Sequence, residues 1–143
     1  MAPRILVPVD GSPKSTAGLE HALSTYPDAE VTVLHVLSSP EGWDDTDPPL
    51  PPELAEEWVD GARTRADDLL AAARELASDH GVTPEVAVET GDVWREIVDY
   101  ACDHDVDHVV LGSHGRTDEA GVALGSVAST VARRAPVSVT IIR

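Results

Sequence analysis

A chain of 143 residues holds one domain's worth of sequence, enough to bury about two-thirds of the surface its unfolded form exposes. With 42% apolar residues it can pack a core, and because phenylalanine is absent, Ala, Val and Leu must fill it. The formal charge of −16, from 26 acids against 10 bases, excludes a basic face for nucleic acid and disfavours attraction to an anionic membrane. Lys14 is the single lysine. Self-repulsion on this scale destabilises a compact state unless salt screens it, and the Debye length falls to about 3 Å at 1 M. Two readings stand: adaptation to a salt-rich cytoplasm, or an ordinary acidic protein. Cys102 is alone, so no intrachain disulfide can form. The first residues, MAPRILVPVDG, lack the apolar core of a signal peptide, and no apolar run reaches membrane-spanning length. A cytoplasmic protein is expected.

In chain order, residues 5–9 form a short apolar run that reads as a strand. Asp10-Gly11-Ser12 turns the chain, and Ser12-Pro13 reads as an N-cap followed by proline at the first helical position. The helix runs to about Thr25, with Ala17, Ala22 and Leu23 turned inward, and Tyr26-Pro27-Asp28 ends it. Residues 31–37 supply a second strand. Residues 38–52 are rich in proline and acids and carry no regular pattern, so they read as a surface loop. Trp43 within that loop either anchors it or covers a site. From residue 53 to 80, Leu54, Trp58, Ala62, Ala66, Leu69, Leu70, Ala73, Leu76 and Ala77 recur every three or four positions. The spacing predicts a long amphipathic helix with Gly81 as its stop. Residues 85–89 alternate around Val86 and Val88 as a third strand. Gly91-Asp92 opens a helix whose inward residues are Val93, Ile97, Val98 and Ala101.

Residues 107–127, DHVVLGSHGRTDEAGVALGSV, carry the chemistry. Val109-Val110-Leu111 suits a buried strand, and Gly112, Gly115 and Gly125-Ser126 follow at the spacing G-x2-G-x9-G-S. A strand, a glycine-containing loop and a helix N-terminus are the parts of an anion cradle. Glycines let the backbone approach a phosphate, and the first free N–H groups of the helix point at it. The plainer alternative is a set of turn glycines at strand–helix junctions. A fourth helix runs from Ser126 to about Arg134, and residues 137–142 form the last strand. Five strands alternating with four helices predict an α/β fold with a mostly parallel sheet and helices on both faces.

With this spacing the chain resembles the universal stress protein family, in its ATP-binding branch. Val7-Pro8-Val9-Asp10-Gly11-Ser12, Leu34-His35-Val36, Gly91-Asp92-Val93 and Arg133-Arg134-Ala135-Pro136-Val137 match further family segments in the right order, so the likeness covers the whole chain, residues 1–143, as a single domain. The resemblance implies a doubly wound five-stranded parallel sheet in the order 3-2-1-4-5. In such a sheet, ligands sit at the carboxyl ends of the strands where the order reverses, here between the first and fourth. It also implies that Pro8, Val9, Asp10 and the backbone of Val36 lie near an adenine base. Leu111, Gly112, Gly115, Gly125, Ser126 and Val127 would hold ribose and phosphates of ATP or AMP; the acids Asp118 and Glu119 beside a triphosphate suggest in addition that Mg²⁺ is needed for tight binding. Finally, the resemblance implies a homodimer through the C-terminal edge strand.

The residues themselves leave some roles open. Asp10 either accepts from an adenine amino group or stabilises its own turn. Ser126 can cap its helix and present N–H groups to a phosphate. Arg116 neutralises phosphate charge or is a solvated surface arginine, and Asp118 and Glu119 place two negative charges nearby. His35, His104, His108 and His114 show no metal-ligand spacing and read as surface or helix-end histidines. Cys102 reads as a small core or boundary residue. The leading function is therefore a nucleotide-binding stress regulator. An enzyme on the same fold, with slow ATP hydrolysis or nucleotidyl or phosphoryl transfer, is the alternative, although its usual SGGxDS loop is replaced by VDGSPKS.

Overall fold

A computed structural model describes residues 2–37, 51–113 and 126–143. Strands and helices alternate along it: β1 (Arg4–Pro8), α1 (Pro13–Thr25), β2 (Glu30–Leu37), α2 (Pro52–Asp79), β3 (Glu85–Thr90), α3 (Val93–Asp103), β4 (His108–Gly112), α4 (Ser126–Arg134) and β5 (Ser138–Ile142). The strands form one sheet in the order β3-β2-β1-β4-β5, and every neighbouring pair is parallel. This is the doubly wound order that the family resemblance implies. Parallel strands need a crossover, and each helix supplies one.

Local chemistry sets the helix ends. The Ser12 hydroxyl accepts from the Ser15 N–H at 3.2 Å, and Pro13 occupies the first turn of α1, where its missing N–H costs nothing. α2 stops in a Schellman turn: Gly81 takes φ +74°, its N–H bonds the Ser78 carbonyl, and the Val82 N–H reaches back to Ala77. α3 stops the same way but with a non-glycine residue, Asp105, at φ +53°. The Val106 N–H then bonds the Ala101 carbonyl.

Side chains on the inner strands alternate between two cores, as a pleated strand buried on both faces requires. Ile5, Val7, Val31, Val33 and Val110 face α1 and α2, meeting Leu19, Ala22, Leu23, Leu70, Ala73 and Ala77. Leu6, Leu34, Val109 and Leu111 face α3 and α4, meeting Ile97, Ala101, Ala128 and Val131. Among the described residues the buried apolar side chains are all aliphatic, and burying each Leu or Ile contributes roughly 1.5–3 kcal/mol.

Several inward assignments change. In α1, Ala17 is only half-buried, while Gly18 and Leu19 take the core positions. α2 begins at Pro52, inside the stretch expected to be loop, and its first buried residue is Ala62. Leu54 is 52% exposed, because the apolar stripe starts before the helix reaches the sheet. Val88 is exposed because it lies near the end of an edge strand. In α3 the core contacts come from Ile97 and Ala101, while Trp94 and Tyr100 pack at the margin. Cys102 is exposed, since one further residue carries it about 100° around the helix from Ala101. Among the described residues, no helix is long and apolar enough to cross a membrane.

Candidate functional site

The strand order reverses between β1 and β4: the first two crossovers, β1 to β2 and β2 to β3, run in one direction along the sheet and the last two in the other. A crevice results at the carboxyl ends of these two strands. The two strands are registered at Ile5–His108 and Leu6–Val109. Continued upward, that register sets Val9 level with Gly112.

Strand alternation divides the expected site residues between two faces. Val9 turns into the core beneath α1 and α2. Its N–H bonds the Leu34 carbonyl at 2.9 Å, and its own carbonyl accepts from His35 Nδ1–H at 2.8 Å. His35 is therefore a buried histidine that pins the end of β1, not the surface residue expected. Pro8 shares the parity of Leu6 and so belongs to the α3–α4 face, as do Val36 and Leu111. Val127, in the first turn of α4, packs against the same cluster.

Gly112 goes the other way. A Cβ built on it would stand 2.6 Å from the Lys14 carbonyl carbon and 2.7 Å from its oxygen. Gly18 reinforces this close approach, because a Cβ there would lie 3.5 Å from the Gly112 nitrogen. The absent side chain at Gly112 thus lets α1 seat against β4.

Asp10 adopts the turn arrangement. One carboxylate oxygen accepts from the Ser12 N–H at 2.8 Å, and the Asp10 N–H donates to Ser15 Oγ at 3.3 Å. Gly11, at φ +83°, supplies the left-handed residue between them. Ser113 follows Gly112 and donates its backbone N–H to the Ile142 carbonyl at 2.7 Å. Its hydroxyl is buried and has no hydrogen-bond partner. Ser126 opens α4 as its first helical residue, one position later than the cap expected of it. Gly115, Arg116 and Gly125 lie outside the described residues, as do His114, Asp118, Glu119 and Trp43.

The remaining histidines serve structure. His108 Nε2 meets Thr140 Oγ1 at 2.6 Å, joining β4 to β5. Burial, and secondarily the nearby His21, holds its pKa below the ordinary value. His104 stacks on Tyr100 with 3.8 Å between ring centroids. Burial first, then Glu85 and Glu89, raises the Tyr100 pKa. Among the described residues, no group of three or more His, Cys, Asp or Glu side chains could hold a metal ion.

Volume alone does not locate the site. A groove of about 750 Å³ opens at the opposite end of the sheet, but Asp28, Glu30, Glu85 and Asp103 line it and would repel an anion. A second groove, about 560 Å³, runs between α1 and α2 and is bordered by Asp10, Gly11, Thr16 and Leu69.

Fold and crevice define a doubly wound α/β protein with its switch point between β1 and β4. The chain belongs to the universal stress protein family, whose model matches residues 1–143. It is similar to universal stress protein YxiE of Bacillus subtilis, with 29% identity over 149 residues, covering 98% of each chain. Universal stress protein UspA from Lactobacillus plantarum superposes with a TM-score of 0.83 at 29% identity, covering 99% of this chain and 97% of its own. The fold is also shared with a universal stress protein from Archaeoglobus fulgidus in complex with dAMP (TM-score 0.69, 21% identity, 100% of this chain and 98% of that one). A family member from Arabidopsis thaliana with AMP bound likewise shares it (TM-score 0.71, 18% identity, 98% and 90% covered).

Proposed function

We propose that this chain is a stress-response regulatory protein that binds an adenine nucleotide, ATP or AMP, in the crevice between β1 and β4. One observation carries the reading: Val127 in the first turn of α4 packs in the same apolar cluster as Val36 and Leu111, beside the point where the strand order reverses, and strand alternation sets Pro8 on that face. An apolar patch suits a purine ring, and the unpaired N–H groups of a helix start suit a phosphate. The spacing G-x2-G-x9-G-S across Gly112, Gly115, Gly125 and Ser126 supports the reading, as do the dAMP and AMP held by the more distant relatives. Asp10, with one oxygen engaged by Ser12, has a second oxygen with which to accept from the adenine amino group. Arg116 offsets phosphate charge. Mg²⁺ accompanies ATP, coordinated mainly by the phosphates and water.

The protein works as a homodimer in a salt-rich cytoplasm. β5 is an edge strand bonded to β4 alone among the described strands, and its run VSVTII contains neither proline nor charge to block a further partner. The direct test is mass spectrometry of small molecules released from the natively purified chain. An adenine nucleotide at near one per chain is expected. A guanine nucleotide in its place would refute the reading.

A further inference from the structure

We infer that the first turns of α2 dock a basic amphipathic helix of a partner protein, on residues outside the nucleotide crevice. α2 spans 28 residues, yet its first buried residue is Ala62. Residues 52–61 therefore carry the helix about 15 Å without burying a side chain. α2 passes Gly11 at Leu69, whose Cδ1 lies 3.3 Å from where a Gly11 Cβ would stand. The projecting turns thus rise beyond the carboxyl end of β1.

Their side chains are not those of a solvated helix. Leu54 and Trp58 extend the stripe of Ala62 and Ala66 upward in four-residue steps, and Val59 lies beside it. Buried alanines give way to larger apolar groups with less cover: Trp58 is half-buried, Leu54 is 52% exposed and Val59 38%. Among the described residues only one other large apolar side chain, Val88, is exposed. Adjoining exposed apolar side chains mark an interaction surface, and tryptophan is a favoured anchor in one.

Charge selects the occupant. At about 100° per residue, Glu57 borders the stripe beside Leu54 and Glu56 borders it beside Val59, while Glu53 and Asp60 lie on the far side. Residues 52–61 hold no Lys or Arg, and none of these four carboxylates pairs with a cation among the described residues. The surface is an apolar strip with an anionic rim. Its complement is a helix with apolar side chains on one face and Lys or Arg along both margins. A second copy would bring its own net −16, and an anionic membrane would be repelled as well.

The test is fluorescence-anisotropy titration of the full chain, at about 0.15 M salt, with a labelled helical peptide bearing leucines on one face and lysines at its margins. A peptide with the same apolar face and glutamates at its margins is the control. The wild type should bind the lysine peptide and not the glutamate one. Leu54→Gln/Val59→Gln keeps every charge and the helix propensity, so it should melt with the wild type and bind at least about tenfold more weakly. Glu56→Gln/Glu57→Gln should also bind more weakly, by a factor that shrinks as salt rises. Equal binding of the lysine peptide by the Leu54→Gln/Val59→Gln variant would reduce the contact to charge alone and overturn the docking surface. A lowered melting temperature in that variant would show that this chain covers its own stripe, and dimerisation lost with it in sedimentation would seat a second copy there; either result overturns the partner helix. So would a wild type that binds neither peptide, or both alike.

Discussion

Gly112 and His108, at the two ends of β4, show what single residues do in this fold. A Gly112 Cβ would stand 2.6 Å from the Lys14 carbonyl carbon and 2.7 Å from its oxygen, and neither backbone can yield cheaply. Gly112→Ala should therefore destabilise the protein by roughly 1–3 kcal/mol, the usual range for overpacking, measured by urea unfolding. A variant as stable as wild type would show that α1 is not seated there. His108 makes stability depend on pH. Its unfolded form takes up a proton near pH 6.5, while burial and His21 hold the folded form below that value. Between the two values the unfolded chain binds more protons, so stability falls as pH falls through the window and levels off below it. His108→Gln, which keeps a donor for Thr140, should flatten that part of the profile. Comparing the two proteins cancels the carboxylates, which titrate in both. An identical acid loss in the variant would assign the effect elsewhere.

At the level of elements, the strands and helices were legible because apolar runs and three-to-four spacing are local signals. Burial was less so: Leu54 and Val88 continue their patterns past the point where another element covers them. His35 and Ser113 carried no signal at all, since a bond to the Val9 carbonyl and the lack of any partner are both tertiary facts. Gly112 was legible as a glycine that matters, but spacing could not distinguish room for a phosphate from room for α1. The edge strand carries the next expectation. The Ile142 carbonyl bonds inward to Ser113, so by alternation the polar backbone groups of Ile141 turn outward to the free edge. Ile141→Pro deletes that outward donor without removing a β4 bond, and it should weaken dimerisation at least about tenfold in sedimentation, with a melting control for the lost packing. A wild-type monomer at micromolar concentration in high salt would overturn the dimer.

For the molecule as a whole, charge is the dominant fact. A net −16 on 143 residues opposes compaction, dimerisation and the approach of a nucleotide alike, and salt relieves all three. The melting temperature should rise with KCl from about 0.1 M and plateau before about 2 M, where screening is complete. A flat profile would mean that these charges are spaced or paired well enough to need no screening. Nucleotide affinity should at first follow the same trend, and Mg²⁺ should add to it by neutralising phosphate charge. The most direct measurement is therefore calorimetry of Mg-ATP against the full chain in high KCl, for wild type and for Gly125→Val, which places a branched side chain next to Ser126 in the sequence. Saturable binding of one nucleotide per chain, abolished in a variant shown by circular dichroism to be folded, is the predicted result. No binding by the wild type, or equal binding by the folded variant, would contradict an adenine-nucleotide site between β1 and β4.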